Sequence, residues 1–305
     1  SNNHIKVRLN RSELAVPGTR VDYFEKAAKS KADIIFLDLE DSVSINEKLI
    51  ARSNVIEAVN DINWAEKTLS IRINSYDTEF MKEDIKEIMK NTSSRLDLIM
   101  FPKVNSAKEV RNFNKLVTNY EKKFNRIKKI GFEIIIETTL GLININEIAL
   151  ASRRNESLHF GAADFAASIG AKTTNIGAVN RNYGVLDTKG NKRNFFLNDM
   201  WHYALFKIVL TAHAYGLRAV DCPFGDFSDE EGFGSSAKSS YTLGFDGKMV
   251  IHPSQINSAN KIFSPTDKEI LDAKEILLQM KLAEKKGKGA IAFNGKLLDI
   301  VSIKQ

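Results

Sequence analysis

The sequence predicts an α/β protein, a (β/α)8 TIM barrel with a C-terminal helical extension and a small lid. Three observations lead there. Eight short apolar runs rich in β-branched residues recur along the 305-residue chain. Amphipathic, helix-patterned stretches separate them. The runs are nearly continuous in hydrophobicity, the mark of parallel strands covered on both faces. Eight alternating units point to a closed barrel rather than an open doubly wound sheet.

The first run is ELAV (13–16), closed by Pro17 and Gly18 and followed by VDYFEKAAKS. DIIFLDL (33–39) comes next, followed by INEKLIARSNVIEAVND, then TLSIRI (68–73) and the charged helix pattern KEDIKEIMK. LDLIMFP (96–102) precedes AKEVRNFNKLVTNYEKKF, and IGFEIII (130–136) precedes LHFGAA (158–163). LRAVD (217–221) and KMVIHP (248–253) complete the eight. Residues 170–198, rich in Gly, Asn and Lys, read as a long loop after the sixth strand, where a long loop is more often functional than accidental. The expected catalytic domain spans 5–264. In the remaining 265–305, the helix TDKEILDAKEILLQMKLAEKK precedes GAIAFNGKLLDIV, two small strands around an Asn-Gly turn.

Composition narrows the function. The chain is 43% hydrophobic and 27% charged, ordinary for a soluble globular protein. No apolar run approaches the roughly 18 residues of a membrane-spanning helix, and SNNHIKVRLN lacks the apolar core of a secretory signal. One cysteine, Cys222, excludes an intramolecular disulfide framework or a cysteine-rich metal site; it reads as a small buried side chain and suits a reducing cytoplasm. The net charge of +6 comes from lysines spread beside glutamates, as in YEKKFNRIKK, a solvated helix face. No zinc-finger spacing, basic zipper or aromatic RNA-binding signature is present, so the expected partners are small molecules, with neither nucleic acid nor membrane.

A barrel of this kind carries its active site at the carboxyl ends of the strands. The second strand ends with Asp38, Glu40 and Asp41, the third with Arg72 and Asn74, the fourth with FPKV. The fifth ends in Glu137, the sixth runs into Asp164, and the eighth ends at Ile251 and His252. Neighbouring strands lie about 4.8 Å apart, so Glu137 and Asp164 can converge on one ion. Hard oxygen ligands without a His or Cys cluster favour Mg²⁺ or Mn²⁺ over zinc. The competing structural reading has each carboxylate capping a helix or pairing with a lysine. Arg72 offers a guanidinium suited to a carboxylate or an enolate, or a buried pair with Asp38 or Glu40. His252 reads first as a satisfied structural histidine.

Seven segments, RSELAVPG, DLEDSV, IRIN, PKV, IETTLGL, FGAADFAASIG and GFDGKMVIHPSQI, resemble the HpcH/HpaI aldolase and citrate lyase β-subunit family in order. Within it the chain is most similar to stand-alone CoA-ester lyases acting on malyl-CoA, β-methylmalyl-CoA and citramalyl-CoA. The resemblance runs from about Arg11 to the C-terminus. It implies Mg²⁺ held by Glu137 and Asp164, with Glu40 and Asp41 behind them, and Arg72 contacting substrate. Ile251 and His252 would complete the substrate side, while Arg20 and Lys26 in the first βα loop would meet CoA. NGKLLDI, with Leu297 and Leu298 where the family has Met and Ile, would carry Asp299 on a lid into a neighbouring subunit's site. The implied activity is reversible cleavage of a 3-hydroxyacyl-CoA to acetyl-CoA or propionyl-CoA plus glyoxylate or pyruvate. The implied protein is a cytoplasmic homotrimer or hexamer. Two other readings stay open: a malyl-CoA thioesterase using the same site, and a citrate lyase β-type subunit acting on an acyl-carrier protein.

Overall fold

Eight parallel strands close on themselves in a computed structural model that describes residues 8–173 and 177–304. They are β1 (Ser12–Pro17), β2 (Ile34–Asp38), β3 (Thr68–Arg72), β4 (Leu98–Phe101), β5 (Gly131–Ile136) and β6 (Asn155–Phe160). After a hairpin of β7 (Gly184–Lys189) and β8 (Lys192–Leu197), β9 (Arg218–Asp221) and β10 (Gly247–Val250) complete the barrel. Its order is β1-β10-β9-β6-β5-β4-β3-β2, with β10 returning to β1 through Glu13↔Met249. This is the (β/α)8 architecture expected from the eight apolar runs.

Alternation along each strand separates two apolar layers. On β2, Ile35 and Leu37 belong to the large core shared with the surrounding helices, which also holds Leu69, Ile71, Ile99 and Ile134. Phe36 points the other way and packs with Met100, Ile135, Val220 and Met249 inside the barrel. The helices present matching faces. Val21–Lys29 buries Phe24, Ala27 and Ala28, and Ala107–Lys123 starts at a capping box in which Ser106 and Glu109 satisfy each other's backbone N–H. Truncating a buried aromatic such as Phe36 to alanine costs about 3–5 kcal/mol in cores of this kind.

The segment expected to be a long loop is not one throughout. Within 170–198, β7 and β8 pair antiparallel from Gly184↔Leu197 to Lys189↔Lys192, leaving Gly190 and Asn191 as a two-residue turn. Gly190 has φ +64°, the left-handed conformation that such hairpin turns require. Both strands are exposed along nearly their whole length, so no buried face marked them in the sequence.

The chain divides into two compact units between Phe263 and Ser264. The second contains a helix (Asp267–Lys285), capped by Thr266 accepting from Glu269 N, and the hairpin of β11 (Ala290–Phe293) and β12 (Lys296–Asp299). Asn294 and Gly295 form its turn at φ +48° and +75°. A short helix, Ile300–Lys304, follows. No helix among the described residues is long and apolar enough to cross a membrane.

Candidate active site

Asp38 and Arg72 are cross-strand partners at the carboxyl ends of β2 and β3. The guanidinium grips the carboxylate in a fork, with Nε and Nη2 each donating at 2.7 Å. Asp38 also accepts from Glu40 N at 2.9 Å and from the Ser42 hydroxyl. Burial would raise its pKa, but the charge and fork of Arg72 outweigh that, and Asp38 is held at about 2. The structure thus realises the buried Arg72–Asp38 pair. It also fixes the Arg72 side chain beside Glu40 Oε1, at 3.6 Å, and over the Phe36 ring.

Lys103, just past β4, is the centre of the carboxylate group. Its Nζ donates to Glu40 and, at 3.1 and 3.2 Å, to both oxygens of Asp41; Asp164 Oδ1 lies 3.6 Å away. Its backbone N–H donates to Glu137 Oε1 at 2.8 Å, with Lys103 at φ +51°. One residue therefore orients Glu137 with its amide and gathers Glu40, Asp41 and Asp164 with its ammonium. A non-glycine residue in the left-handed region is a strained position of the kind that collects at functional sites.

The apolar run of β5 delivers Glu137 almost fully buried. Burial first, then the charges of Asp164 and Glu40, push its pKa up to about 8 against the opposing pull of Lys103 and Arg72. Glu40 rises to about 7, chiefly through burial. Asp164, in the first turn of the helix Ala162–Ile169, is raised by burial too. Gly161 makes the approach of Glu137 to this helix feasible, because a Cβ there would stand 2.2 Å from Glu137 Oε2. At the opposite wall a Cβ on Gly18 would meet the Asp38 carbonyl at 2.7 Å.

The remaining expected site residues have contacts of their own. Arg20 pairs with Asp22 at 2.9 Å and stacks on Tyr23 at the start of the helix Val21–Lys29, and Lys26 lies over the same ring; both are exposed. His252 caps the turn Pro253–Gln255 through Ser254 and stacks on Phe227 at 4.5 Å, while Ile251 is exposed beside it. Asp299 ends β12 in the second unit, exposed, accepting from Val301 N at 2.9 Å. Cys222 is buried, and burial pushes its thiol pKa up. Lys103 is the residue that reading strand ends for carboxylates passed over, although PKV stood in the expected position.

Residues 11–253 match the HpcH/HpaI aldolase/citrate lyase family. The chain belongs to it. The L-malyl-CoA/β-methylmalyl-CoA lyase of Cereibacter sphaeroides is 47% identical over 98% of this chain and 92% of its own length. The malyl-CoA/β-methylmalyl-CoA/citramalyl-CoA lyase of Chloroflexus aurantiacus is 34% identical over 90% of this chain and 79% of its own. Among solved structures, the CitE protein of Mycobacterium tuberculosis in complex with magnesium, acetoacetate and coenzyme A superposes with a TM-score of 0.72. It is 26% identical, and the match covers 96% of this chain and 94% of that one.

Within this member of the family, the donor set at the barrel mouth suits a hard dication. The donors are all oxygens, three carboxylates already share one ammonium while a fourth, Glu137, takes the same residue's amide, and Glu40 Oε1 is buried without a hydrogen-bond partner.

Proposed function

We propose that this protein is a Mg²⁺-dependent CoA-ester lyase. It reversibly cleaves a malyl-CoA-like 3-hydroxyacyl-CoA to acetyl-CoA or propionyl-CoA plus glyoxylate or pyruvate. The convergence of Glu137, Asp164, Glu40 and Asp41 beside a fixed guanidinium carries this reading. The activities named for the 47% and 34% identical relatives support it, as does the binding of both magnesium and coenzyme A by the CitE protein.

Glu137 and Asp164 would hold the metal, Mg²⁺ in preference to Mn²⁺, with Glu40 and Asp41 tuning the charge around them. Once bound, the ion supplies Lewis-acid stabilisation of the substrate's hydroxyl and carboxylate oxygens. Arg72, locked by Asp38, places fixed positive charge where the thioester oxygen becomes an enolate oxygen, with no reorganisation at the moment of bond cleavage. Asp299 protonates the enolate carbon, or removes that proton in the condensation direction. Arg20 and Lys26 contribute positive charge toward the CoA phosphates, and Ile251 and His252 border the acyl side. The setting is cytoplasmic, and the assembly is a homotrimer or a dimer of trimers in which the 265–305 segment covers a neighbour's barrel as a lid.

The test incubates the purified protein with Mg²⁺, acetyl-CoA or propionyl-CoA, and glyoxylate or pyruvate, with mass spectrometry of the products and an EDTA control. A metal-dependent adduct in one pairing is expected and names the oxo acid. Release of free CoA would replace the lyase by a thioesterase. Activity only with an acyl-carrier protein would make the chain a citrate lyase β-type subunit.

A further inference from the structure

A second polar group lies inside the barrel, below the apolar layer of Phe36, Met100, Ile135, Val220 and Met249. Alternation on β5 puts Glu133 on the same face as Ile135 and Glu137, four residues or about 13 Å below the mouth. Glu13 enters from β1 and His159 from β6, and all three side chains are fully buried. One donor atom from each comes within 4.8 Å of the other two. His159 Nε2 stands 3.1 Å from Glu133 Oε2 and 2.9 Å from the Ser157 hydroxyl, yet neither Glu133 oxygen has an aligned hydrogen bond.

We propose that Glu13, Glu133 and His159 form an interior site for a first-row transition dication of the Zn²⁺ class, separate from the metal of the barrel mouth. The arrangement leaves donor atoms turned toward one another in a dry interior. Glu13 Oε2, both Glu133 oxygens, His159 Nδ1 and the Ser70 hydroxyl are all buried in one place without hydrogen-bond partners. Ser70, on β3, is an independent member, its hydroxyl buried without an aligned partner on another wall of the barrel.

Donor chemistry selects the ion. One imidazole with two carboxylates suits zinc-like dications. Tetrahedral bonds of about 2.0–2.1 Å imply ligand–ligand edges of roughly 3.3 Å, close to the 3.1 Å separation of His159 Nε2 and Glu133 Oε2. Two carboxylates and a dication also sum to zero charge, the cheapest state in a dry interior. Without metal, protons do this balancing. Burial and the charge of Glu133 push the Glu13 pKa well up, while His159 pulls that of Glu133 down to about 2 despite its burial. On binding, the Glu13 carboxyl gives up its proton to the medium and a metal–oxygen bond replaces the O–H.

Elemental analysis tests this on the full chain, refolded with Zn²⁺ and then dialysed against a chelating resin that removes exchangeable Mg²⁺. About one equivalent of retained zinc per chain is expected in the wild type and in Glu137→Gln, with loss in Glu13→Gln and His159→Asn. X-ray absorption of the wild-type protein, which needs no variant to fold, should show a nitrogen and oxygen shell with one imidazole and no sulfur. Absence of retained zinc after refolding would overturn the proposal. So would zinc that disappears in Glu137→Gln while persisting in Glu13→Gln, because it would then belong to the mouth.

Discussion

Lys103 makes two different contacts that separate variants can distinguish. Its amide fixes Glu137, and its ammonium neutralises Glu40, Asp41 and Asp164. Lys103→Met retains the amide and removes the charge. Unit charges near 4 Å interact by up to about 4 kcal/mol at an effective dielectric constant of 20. A fraction of that should tighten Mg²⁺ binding roughly tenfold, about 1.4 kcal/mol, by calorimetry. Unchanged or weaker binding would show that the ammonium does not compete with the metal. Asp38 makes a prediction in pH. Its pKa falls from an ordinary 3.8 to about 2, so its stabilising effect is complete above pH 3.8. That effect is lost as pH drops through the folded value, and it amounts to roughly 2 kcal/mol. Urea midpoints should fall more steeply in acid for wild type than for Asp38→Asn, and parallel slopes would contradict the assignment. The carboxylates at the mouth were legible because barrel topology tells which end of each strand matters. Lys103 was not, since a search for anionic ligands discounts a cation at the same end. Glu13, Glu133 and His159 were hidden further: they lie in three separate apolar runs, and only barrel closure brings them together.

Elements tell a similar story. All eight barrel strands left a trace in the sequence because burial on both faces gives a nearly continuous apolar signal, as in IIFLD of β2, although β6 begins three residues before the run read there, at the polar Asn155–Ser157. The β7–β8 hairpin was not, because exposed strands such as GVLDTK and KRNFFL carry no buried face to read. Its Gly190–Asn191 turn was the available cue. The β11–β12 hairpin was legible through that same kind of cue, Asn294–Gly295. A two-stranded ribbon has little stability to spare. Gly295→Val puts a β-branched side chain at φ +75° and should cost about 1–2 kcal/mol locally. Amide exchange across Ala290–Asp299 should accelerate and turnover should fall, with Mg²⁺ affinity unchanged. Unaltered exchange and turnover would separate the hairpin from catalysis.

At the scale of the whole molecule, Asp299 and the carboxylate cluster belong to different compact units. Under the proposed lid arrangement, a site takes its metal ligands from one chain and its proton donor from another. Glu137→Gln and Asp299→Asn should each be nearly inactive alone, the latter by roughly 10²–10⁴-fold. Mixed and reassembled, they should recover part of the wild-type rate, because some interfaces pair an intact barrel with an intact Asp299. Light scattering should find three or six chains. Absence of recovery in confirmed hetero-oligomers would place Asp299 in its own chain's site or outside catalysis. The hairpin also constrains how the lineage can change. Asp299 pairs with Ala290 at the open end of a ladder whose closed end is a two-residue turn. Side chains alternate faces with a period of two, so one residue gained or lost within β12 would turn the acid to the opposite face. Natural length variation in this strand should therefore come in pairs of residues, and an odd gap between lineages would mark those in which the acid had been abandoned.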